Sequence, residues 1–144
     1  MPRRAILDAN VVLRYLLADH ARQSPEAVEL IERAPDGTLH LPAIILAEVT
    51  WTLKSHFGVP RDQIAAAIQR VLARPSIAAD ATTLDAVARY ASTSLDFADC
   101  ALAAEGASNG LTVATFDKDY RRFPDVAAKR PRELLADLTP PAGE

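Results

Sequence analysis

Four acidic residues of this 144-residue chain each lie within an otherwise apolar stretch. A carboxylate in such a setting carries a desolvation penalty, and buried Asp or Glu is rare unless it is paired. Two like charges ~4 Å apart repel by about 4 kcal/mol at an effective dielectric constant near 20, so a cluster of them requires bound protons or a divalent cation. The candidates for a shared metal site are Asp8 in Ile-Leu-Asp-Ala-Asn, Glu48 in Leu-Ala-Glu-Val, Asp99 in Asp-Phe-Ala-Asp-Cys and Asp117 in Thr-Phe-Asp-Lys-Asp.

The ligand types restrict the choice of metal. All four side chains offer carboxylate oxygens, the three histidines show no HxxxH or HExxH spacing, and the chain has one cysteine. Zinc, copper and iron fit this set poorly, whereas Mg²⁺ or Mn²⁺ suits it. These ions usually bind through a few carboxylates together with substrate phosphate oxygens, so the expected chemistry is hydrolysis of a phosphodiester by water.

The elements that must position these acids alternate along the chain. Apolar runs typical of strands occur at residues 5–7, 38–41 and 111–115, with a weaker candidate at 76–79. Helical periodicity fills the segments between them, which predicts an α/β fold with a central parallel sheet of about four to five strands, flanked by helices on both faces. Ligands of such sheets bind outside the carboxyl ends of the strands, where Asp8 and Asp117 fall.

The other acids are predicted to lie on helices. Glu48 belongs to a helix over residues 42–56, and Asp96 and Asp99 share one face near the start of a helix, where the dipole favours negative charge. Asn10 is available as the N-cap of the first helix, over residues 10–18. Asp119 follows Asp117 beyond Lys118.

Each acid also has a purely structural interpretation. Asp8 and Asp117 suit turns or caps, and Asp96 suits an N-cap. Asp99 suits a favourable partner of a helix dipole, and Asp119 a solvated neighbour of Lys118. A cap cannot explain Glu48, which stands among apolar neighbours. The case for a metal site depends on all four occurring together in one short domain.

Composition favours an ordinary globular protein. The chain is 49% hydrophobic and 24% charged, with a formal net charge of −3, and its length corresponds to one domain, predicted over residues 1–138, with a disordered tail at 139–144. The single cysteine excludes internal disulfides, and no apolar run suits a signal peptide or a membrane span, so we expect a cytoplasmic protein that does not contact membranes. Residues suited to phosphate contacts are Arg14, Lys118, Arg121 and Arg122.

The ordered set of motifs resembles PIN-domain ribonucleases and, within them, the VapC toxins of toxin–antitoxin pairs. The resemblance spans residues 5–123 and is carried by Leu-Asp-Ala-Asn-Val-Val-Leu, Leu-Ala-Glu-Val-Thr-Trp, Leu-Asp-Phe-Ala-Asp-Cys-Ala-Leu-Ala-Ala and Thr-Phe-Asp-Lys-Asp-Tyr. One departure is Ala9, where many relatives have Thr or Ser.

The resemblance implies a PIN fold in which Mg²⁺ or Mn²⁺ is held by four catalytic acids, Asp8, Glu48, Asp99 and Asp117. It also implies that Thr115 orders the site and that Asn10, Asp96 and Asp119 occupy supporting polar positions. The expected activity is metal-dependent endoribonuclease cleavage of RNA by a homodimeric toxin that a small antitoxin silences. Two alternatives stay open: a non-catalytic PIN-like module that binds RNA or protein, and a haloacid-dehalogenase-like phosphatase suggested by Asp8-Ala9-Asn10.

Overall fold

The computed structural model describes residues 2–143, and within that range short strands alternate with longer helices. The strands are β1 Ala5–Ile6, β2 Leu39–His40, β3 Ile77–Ala78, β4 Val113–Ala114 and β5 Ala128–Lys129. The helices are α1 Ala9–Leu17, α2 Gln23–Arg33, α3 Ala43–Ser55, α4 Arg61–Leu72, α5 Ala81–Ser92, α6 Phe97–Asn109 and α7 Pro131–Leu138, together with a 3₁₀ helix at Lys118–Arg122.

All five strands pair in parallel, which confirms the α/β class. Parallel pairing joins β1 to β2 and β2 to β3, with Ala5 opposite Leu39 and Leu39 opposite Ile77. A second ladder joins β4 to β5, with Val113 opposite Ala128. The strands of the described residues therefore form a three-stranded and a two-stranded sheet, where the sequence predicted one continuous sheet. Each strand is only two residues long, so helix packing must contribute most of what holds the strands in place.

The core is one cluster of buried apolar side chains to which most of the helices contribute. Fully buried members include Val12 of α1, Leu46 and Val49 of α3, and Ile64 of α4. Cys100 of α6 is also fully buried, and burial raises the pKa of its thiol. The helix pairs α1–α2, α5–α6 and α3–α6 pack against each other around this cluster.

A buried arginine connects α5 to the chain that follows the 3₁₀ helix. Arg89 donates from both terminal nitrogens to Asp125 and from Nε to Asp85 at 3.0 Å, and its guanidinium lies 4.8 Å from the centre of the Phe123 ring. The Arg89 partner holds the pKa of Asp125 below its ordinary value. A forked pair of this kind fixes direction as well as distance, so it anchors the segment just after the Asp117 loop.

The ends of the described chain add little to the fold. Residues 139–143 follow α7 without further helix or strand and are exposed. The predicted disorder of this tail and the predicted single domain both stay predictions, and Met1 and Glu144 lie outside the described residues. None of the helices in residues 2–143 is both long enough and apolar enough to cross a membrane.

One residue outside glycine adopts a left-handed backbone among the described residues. Ala18 ends α1 with φ 51° and ψ 35°, and its N–H donates to the Arg14 carbonyl. This region costs an L-residue about 1–2 kcal/mol, whereas glycine enters it freely.

We therefore expect Ala18→Gly to stabilise the protein. Glycine loses about 0.4–1 kcal/mol through the larger entropy of the unfolded chain, so the net gain is about 0.5–1 kcal/mol in the free energy of unfolding, measured by urea denaturation. The control is Ala66→Gly at an exposed interior position of α4, which should lose about 1 kcal/mol. Equal losses in the two variants would contradict the strain at Ala18.

Candidate functional site

Asp8 joins the end of β1 to the start of α1. Its backbone is extended, and its Oδ1 accepts a hydrogen bond from the Ala9 N–H at 2.9 Å. Asp8 is therefore the N-cap of α1, and the expectation that Asn10 would cap this helix is wrong. The helix begins earlier because Ala9 is already buried beside Leu7, which leaves Asn10 exposed in the first turn.

Glu48 faces solvent although its sequence neighbours are apolar. Leu46, Val49 and Leu53 lie on the buried side of α3. The exposed side is a stripe formed by Ile44, Glu48, Trp51 and Lys54, one member per turn. Helical periodicity thus turns Glu48 away from the core that its neighbours build.

Two acids mark the start of α6. Asp96 occupies the N-cap position without a capping hydrogen bond from its side chain, and its carboxylate lies 3.8 Å from Lys54 Nζ across the α3–α6 contact. Asp99 follows in the first turn and is partly buried. Because α3 packs against α6, the helices that carry Glu48 and Asp99 are direct neighbours.

Asp117 is held by a short hydrogen-bonded loop that follows β4. Its N–H donates to Thr115 Oγ1 at 2.9 Å, and its Oδ1 accepts from the Asp119 N–H at 2.8 Å. Asp117 thereby caps the 3₁₀ helix. The Thr115 hydroxyl thus fixes the backbone of Asp117, and the Asp119 side chain is exposed.

A tyrosine connects this loop to α6. The Tyr120 hydroxyl donates to Asp99 Oδ1 at 3.1 Å, and the tyrosine itself is buried. Burial and the nearby carboxylates of Asp99 and Asp117 raise the pKa of Tyr120 well above its ordinary value. Tyr120 therefore stays protonated at neutral pH and acts as a donor that orients Asp99.

The structure brings some of the predicted acids together and leaves others apart. Asp99 and Asp117 are both close enough to Tyr120 for their charges to raise its pKa. Glu48 is on α3, which packs against α6. However, no group of three or more Asp, Glu, His or Cys in residues 2–143 lies close enough to hold a metal ion. The four-acid ligand set therefore stays a prediction.

The carboxylates are less buried than their apolar sequence neighbours suggested. Asp8, Glu48 and Asp117 are exposed, and Asp99 is intermediate. The prediction that these carboxylates are desolvated, and need a cation for that reason, is therefore wrong. Their availability supports a site in another way, because none of the four forms an ion pair with a Lys, Arg or His of the described chain.

Basic residues lie beside Asp117. A cavity of about 560 Å³ is lined by Asp117 together with the basic residues Lys118, Arg121, Lys129 and Arg130. The other two predicted phosphate contacts are engaged elsewhere. Arg122 donates to Ser94 Oγ at 3.0 Å, and Arg14 donates to Gln23 and Asp19 in a groove between α1 and α2 that Asn10 also lines.

Sequence reasoning missed Tyr120 as a site residue. The available signal was its spacing, since Tyr120 stands three residues after Asp117 and a 3₁₀ helix eclipses residues three apart. It also missed β5, whose two residues carry too little pattern to distinguish a strand from a loop. That strand is what brings Lys129 and Arg130 beside Thr115, through the hydrogen bond from the Thr115 N–H to the Lys129 carbonyl at 3.0 Å.

The donor set suits Mg²⁺ or Mn²⁺. All candidate ligands are carboxylates with oxygen atoms uncommitted to protein cations, and a hard divalent ion takes such oxygens with several waters retained. Three of the acids also have one oxygen engaged by a protein donor: Asp8 by the Ala9 N–H, Asp99 by the Tyr120 hydroxyl and Asp117 by the Asp119 N–H. A hydrogen bond on one oxygen orients a carboxylate while the other oxygen stays available to a ligand.

The chain is an α/β protein in which Asp8 and Asp117 follow strand ends and Glu48 and Asp99 lie on the neighbouring helices α3 and α6. The PIN domain family model matches residues 5–126, a range that includes β1 to β4 and all four acids. The chain belongs to the PIN domain family.

Similarity to individual proteins is weak. A crystal structure of VapBC2 from Rickettsia felis bound to a DNA fragment from their promoter aligns with 90% of this chain and 98% of that chain, at 14% sequence identity and a TM-score of 0.35. No curated protein matches the chain significantly. The family assignment therefore depends on the sequence match to the PIN domain.

We expect the Tyr120–Asp99 contact to be measurable as a coupling energy. A double-mutant cycle of Tyr120→Phe and Asp99→Ala should give about 1 kcal/mol of coupling in the free energy of unfolding, because the hydroxyl donates to a charged, partly exposed acceptor. The control pairs Asp99→Ala with Tyr15→Phe, whose hydroxyl donates to Glu32, and should be additive. Additive behaviour of the Tyr120 pair as well would contradict the contact.

Proposed function

We propose that the chain is a metal-dependent endoribonuclease that hydrolyses phosphodiester bonds of RNA. The observation that carries this proposal is the combination of a PIN domain with four acids that no protein cation neutralises within residues 2–143. PIN domains are generally nucleases, and acids kept only for structure are usually committed to caps or ion pairs. Asp8 and Asp117 do cap helices, but Glu48 and Asp99 neither cap a helix nor form an ion pair within the described residues.

In this proposal Asp8, Glu48, Asp99 and Asp117 hold Mg²⁺ or Mn²⁺. When bound, a divalent cation neutralises charge on the phosphate and lowers the pKa of water, so that hydrolysis proceeds at neutral pH. The residues of the chain do the positioning. Thr115 fixes the backbone of Asp117, and Tyr120 orients Asp99 by donating a hydrogen bond.

Lys118 and Arg121 bind the RNA backbone in the cavity beside Asp117. Their charges are exposed there, and Lys and Arg contacts to phosphates supply most of the sequence-independent affinity for nucleic acid. Asn10, Asp96 and Asp119 are supporting polar residues in this proposal. Arg14 and Arg122 are weaker candidates because their guanidinium groups already donate to protein acceptors.

We further propose that the protein is a VapC-type toxin. The support is the sequence resemblance over residues 5–123, in which order, spacing and flanking residues of the four motifs agree. This assignment includes a small antitoxin that binds and silences the chain, a homodimeric state and a cytoplasmic location.

A second candidate function is a non-catalytic PIN-like module that binds RNA or protein. The observation that favours it is the absence, within the described residues, of three carboxylates at metal-binding distance. The two candidates differ in whether the acids bind a divalent cation.

The ribonuclease proposal predicts cleavage of structured RNA by the purified protein in Mg²⁺ or Mn²⁺, abolished by a chelator. Asp8→Asn and Asp99→Asn should each lower the cleavage rate by about 100-fold or more. Losing a residue that only hydrogen-bonds to a metal ligand costs about 10–100-fold, and losing the ligand itself should cost more. Asn caps a helix about as well as Asp, so Asp8→Asn separates the cap from the metal role.

The matched control is Asp62→Asn, an exposed acid in the first turn of α4, which should cleave like the wild type. Titration calorimetry with Mn²⁺ provides a second readout. Cleavage that survives chelation would contradict the proposal, and failure to bind Mn²⁺ together with no cleavage would favour the non-catalytic module.

The toxin proposal predicts growth arrest when the chain is expressed in bacteria, relieved by Asp99→Asn. Coexpression of the protein encoded beside its gene should restore growth to the wild-type chain and form a complex that purifies with it. Arrest that persists in Asp99→Asn, or a neighbouring protein that neither binds nor rescues, would contradict the toxin assignment.

A further inference from the structure

The only tryptophan of the chain lies on the surface of α3. Trp51 is 66% exposed and belongs to the exposed stripe that also carries Glu48. Single exposed apolar residues are common, but Trp is a large aromatic that proteins usually bury in part. Trp51 lies one helical turn after Glu48, a proposed ligand of the cation. An exposed aromatic side chain at this position is therefore well placed to contact the substrate.

A small cavity opens beside Trp51 between α3 and the start of α6. Its volume is about 220 Å³, and it is lined on the α3 side by Thr50, Trp51, Lys54 and Ser55. Drug-sized ligand pockets are roughly 300–1,000 Å³, so this cavity suits one flat ring system and nothing larger. Asp96 and Phe97 line its opposite side.

A fixed cation contributes to the lining. The Arg61 guanidinium lies 3.8 Å from the centre of the Tyr90 ring and donates to the carbonyls of Tyr90 and Leu95. Because protein acceptors already hold it, its positive charge is in place before any ligand binds. Lys54 adds a second positive charge, and Asp96 contributes the one negative charge among the lining residues.

We propose that this cavity binds one unpaired nucleobase of the RNA substrate, stacked on Trp51, with the adjacent phosphate contacted by Lys54. The proposal rests on the proposed ribonuclease function and adds a residue that positions RNA. Trp51 is three residues from Glu48, which corresponds to about 4.5 Å along the helix axis. A base on Trp51 therefore places a neighbouring phosphate close to the acidic site.

Stacking on an exposed aromatic is a common way for proteins to bind single-stranded nucleic acid, because every base presents a π face. The ion pair between Lys54 and Asp96 does not oppose this. At 3.8 Å, with side chains 65% and 75% exposed, such a pair contributes little to stability and exchanges readily for a phosphate.

A protein partner is the competing occupant of the same surface. Ile44, also exposed on this stripe, would suit an apolar interface. The cavity itself favours the base, since Lys54 and Arg61 against the single acid Asp96 give it a net positive charge beside the Trp51 ring. The centre of a protein interface is depleted in charged residues.

The single tryptophan makes the test direct, because all intrinsic tryptophan emission reports position 51. Titrating the full chain with single-stranded oligoadenylate and oligouridylate in a chelator, so that no cleavage occurs, should quench the emission saturably. Anisotropy of a labelled oligonucleotide then measures affinity for the variants. Trp51→Ala should weaken binding about tenfold, and Trp51→Phe should lose less because a phenyl ring still stacks.

The matched control is Leu84→Ala on α5, an apolar side chain that is 50% exposed and lies outside this cavity; it should bind as the wild type does. In cleavage assays with cation, Trp51→Ala should raise KM while kcat changes little, unlike loss of a ligand acid. Because Trp51 is exposed, its variants should have the same urea midpoint of unfolding as the wild type. A loss of RNA affinity would then reflect the binding site and not the stability of the fold.

The outcomes separate this inference from the ribonuclease proposal. Wild-type cleavage with unchanged emission and full binding by Trp51→Ala would overturn the base site alone. Quenching by RNA without any cleavage would support the base site and count against the ribonuclease. Emission that depends on protein concentration and not on RNA, with Trp51→Ala shifting a dimer to a monomer in sedimentation, would overturn the base site in favour of an interface between copies.

Discussion

Mutual repulsion between carboxylates is the constraint that any approach of these four acids to one another must satisfy. Four acids cannot converge in a dry core without a cation, because at low dielectric constant each pair would repel by several kcal/mol. The described structure keeps them in contact with solvent, where repulsion is screened, and places two of them at helix starts. Asp8 caps α1 and Asp99 lies in the first turn of α6, so both gain from the positive end of a helix dipole. Solvent and helix dipoles thus stabilise each acid by itself, without an ion pair to a Lys, Arg or His of the described residues.

The positions of these acids follow from local connections between elements. β1 leads directly to Asp8 and α1, and β4 leads through Thr115 to Asp117 and the 3₁₀ helix. In both cases an aspartate side chain accepts a backbone N–H just after a strand, which ends the strand and begins a helix. Tyr120 then joins the second of these connections to α6, and Arg89 holds the chain a few residues further on through Asp125. Distant parts of the sequence are connected by a few directed hydrogen bonds between side chains.

Most of the fold was predictable from the sequence, and much of the site was not. The helix predicted over residues 42–56 is observed as α3, and the strands predicted at 5–7, 38–41 and 111–115 contain β1, β2 and β4. Burial of the acids was mispredicted, because apolar neighbours in sequence do not imply an apolar environment on a helix. Glu48 stands between buried Leu46 and Val49 yet points the other way. The spacing of Tyr120 from Asp117 did not reveal its contact with Asp99, which is 21 residues away in sequence.

An open acidic site also determines how a cation and RNA would bind under the proposed function. Carboxylates that solvent keeps apart must be drawn together when a cation binds, and this reorganisation lowers the affinity for the cation alone. Under that function a substrate phosphate would supply further oxygen ligands and so complete the coordination that the protein leaves unfinished. The binding of cation and RNA is then mutually reinforcing, and thermodynamic linkage requires each to raise the affinity for the other by the same factor. Under the proposed function, exposure of the acids would weaken cation binding to the free protein and strengthen it when RNA is present.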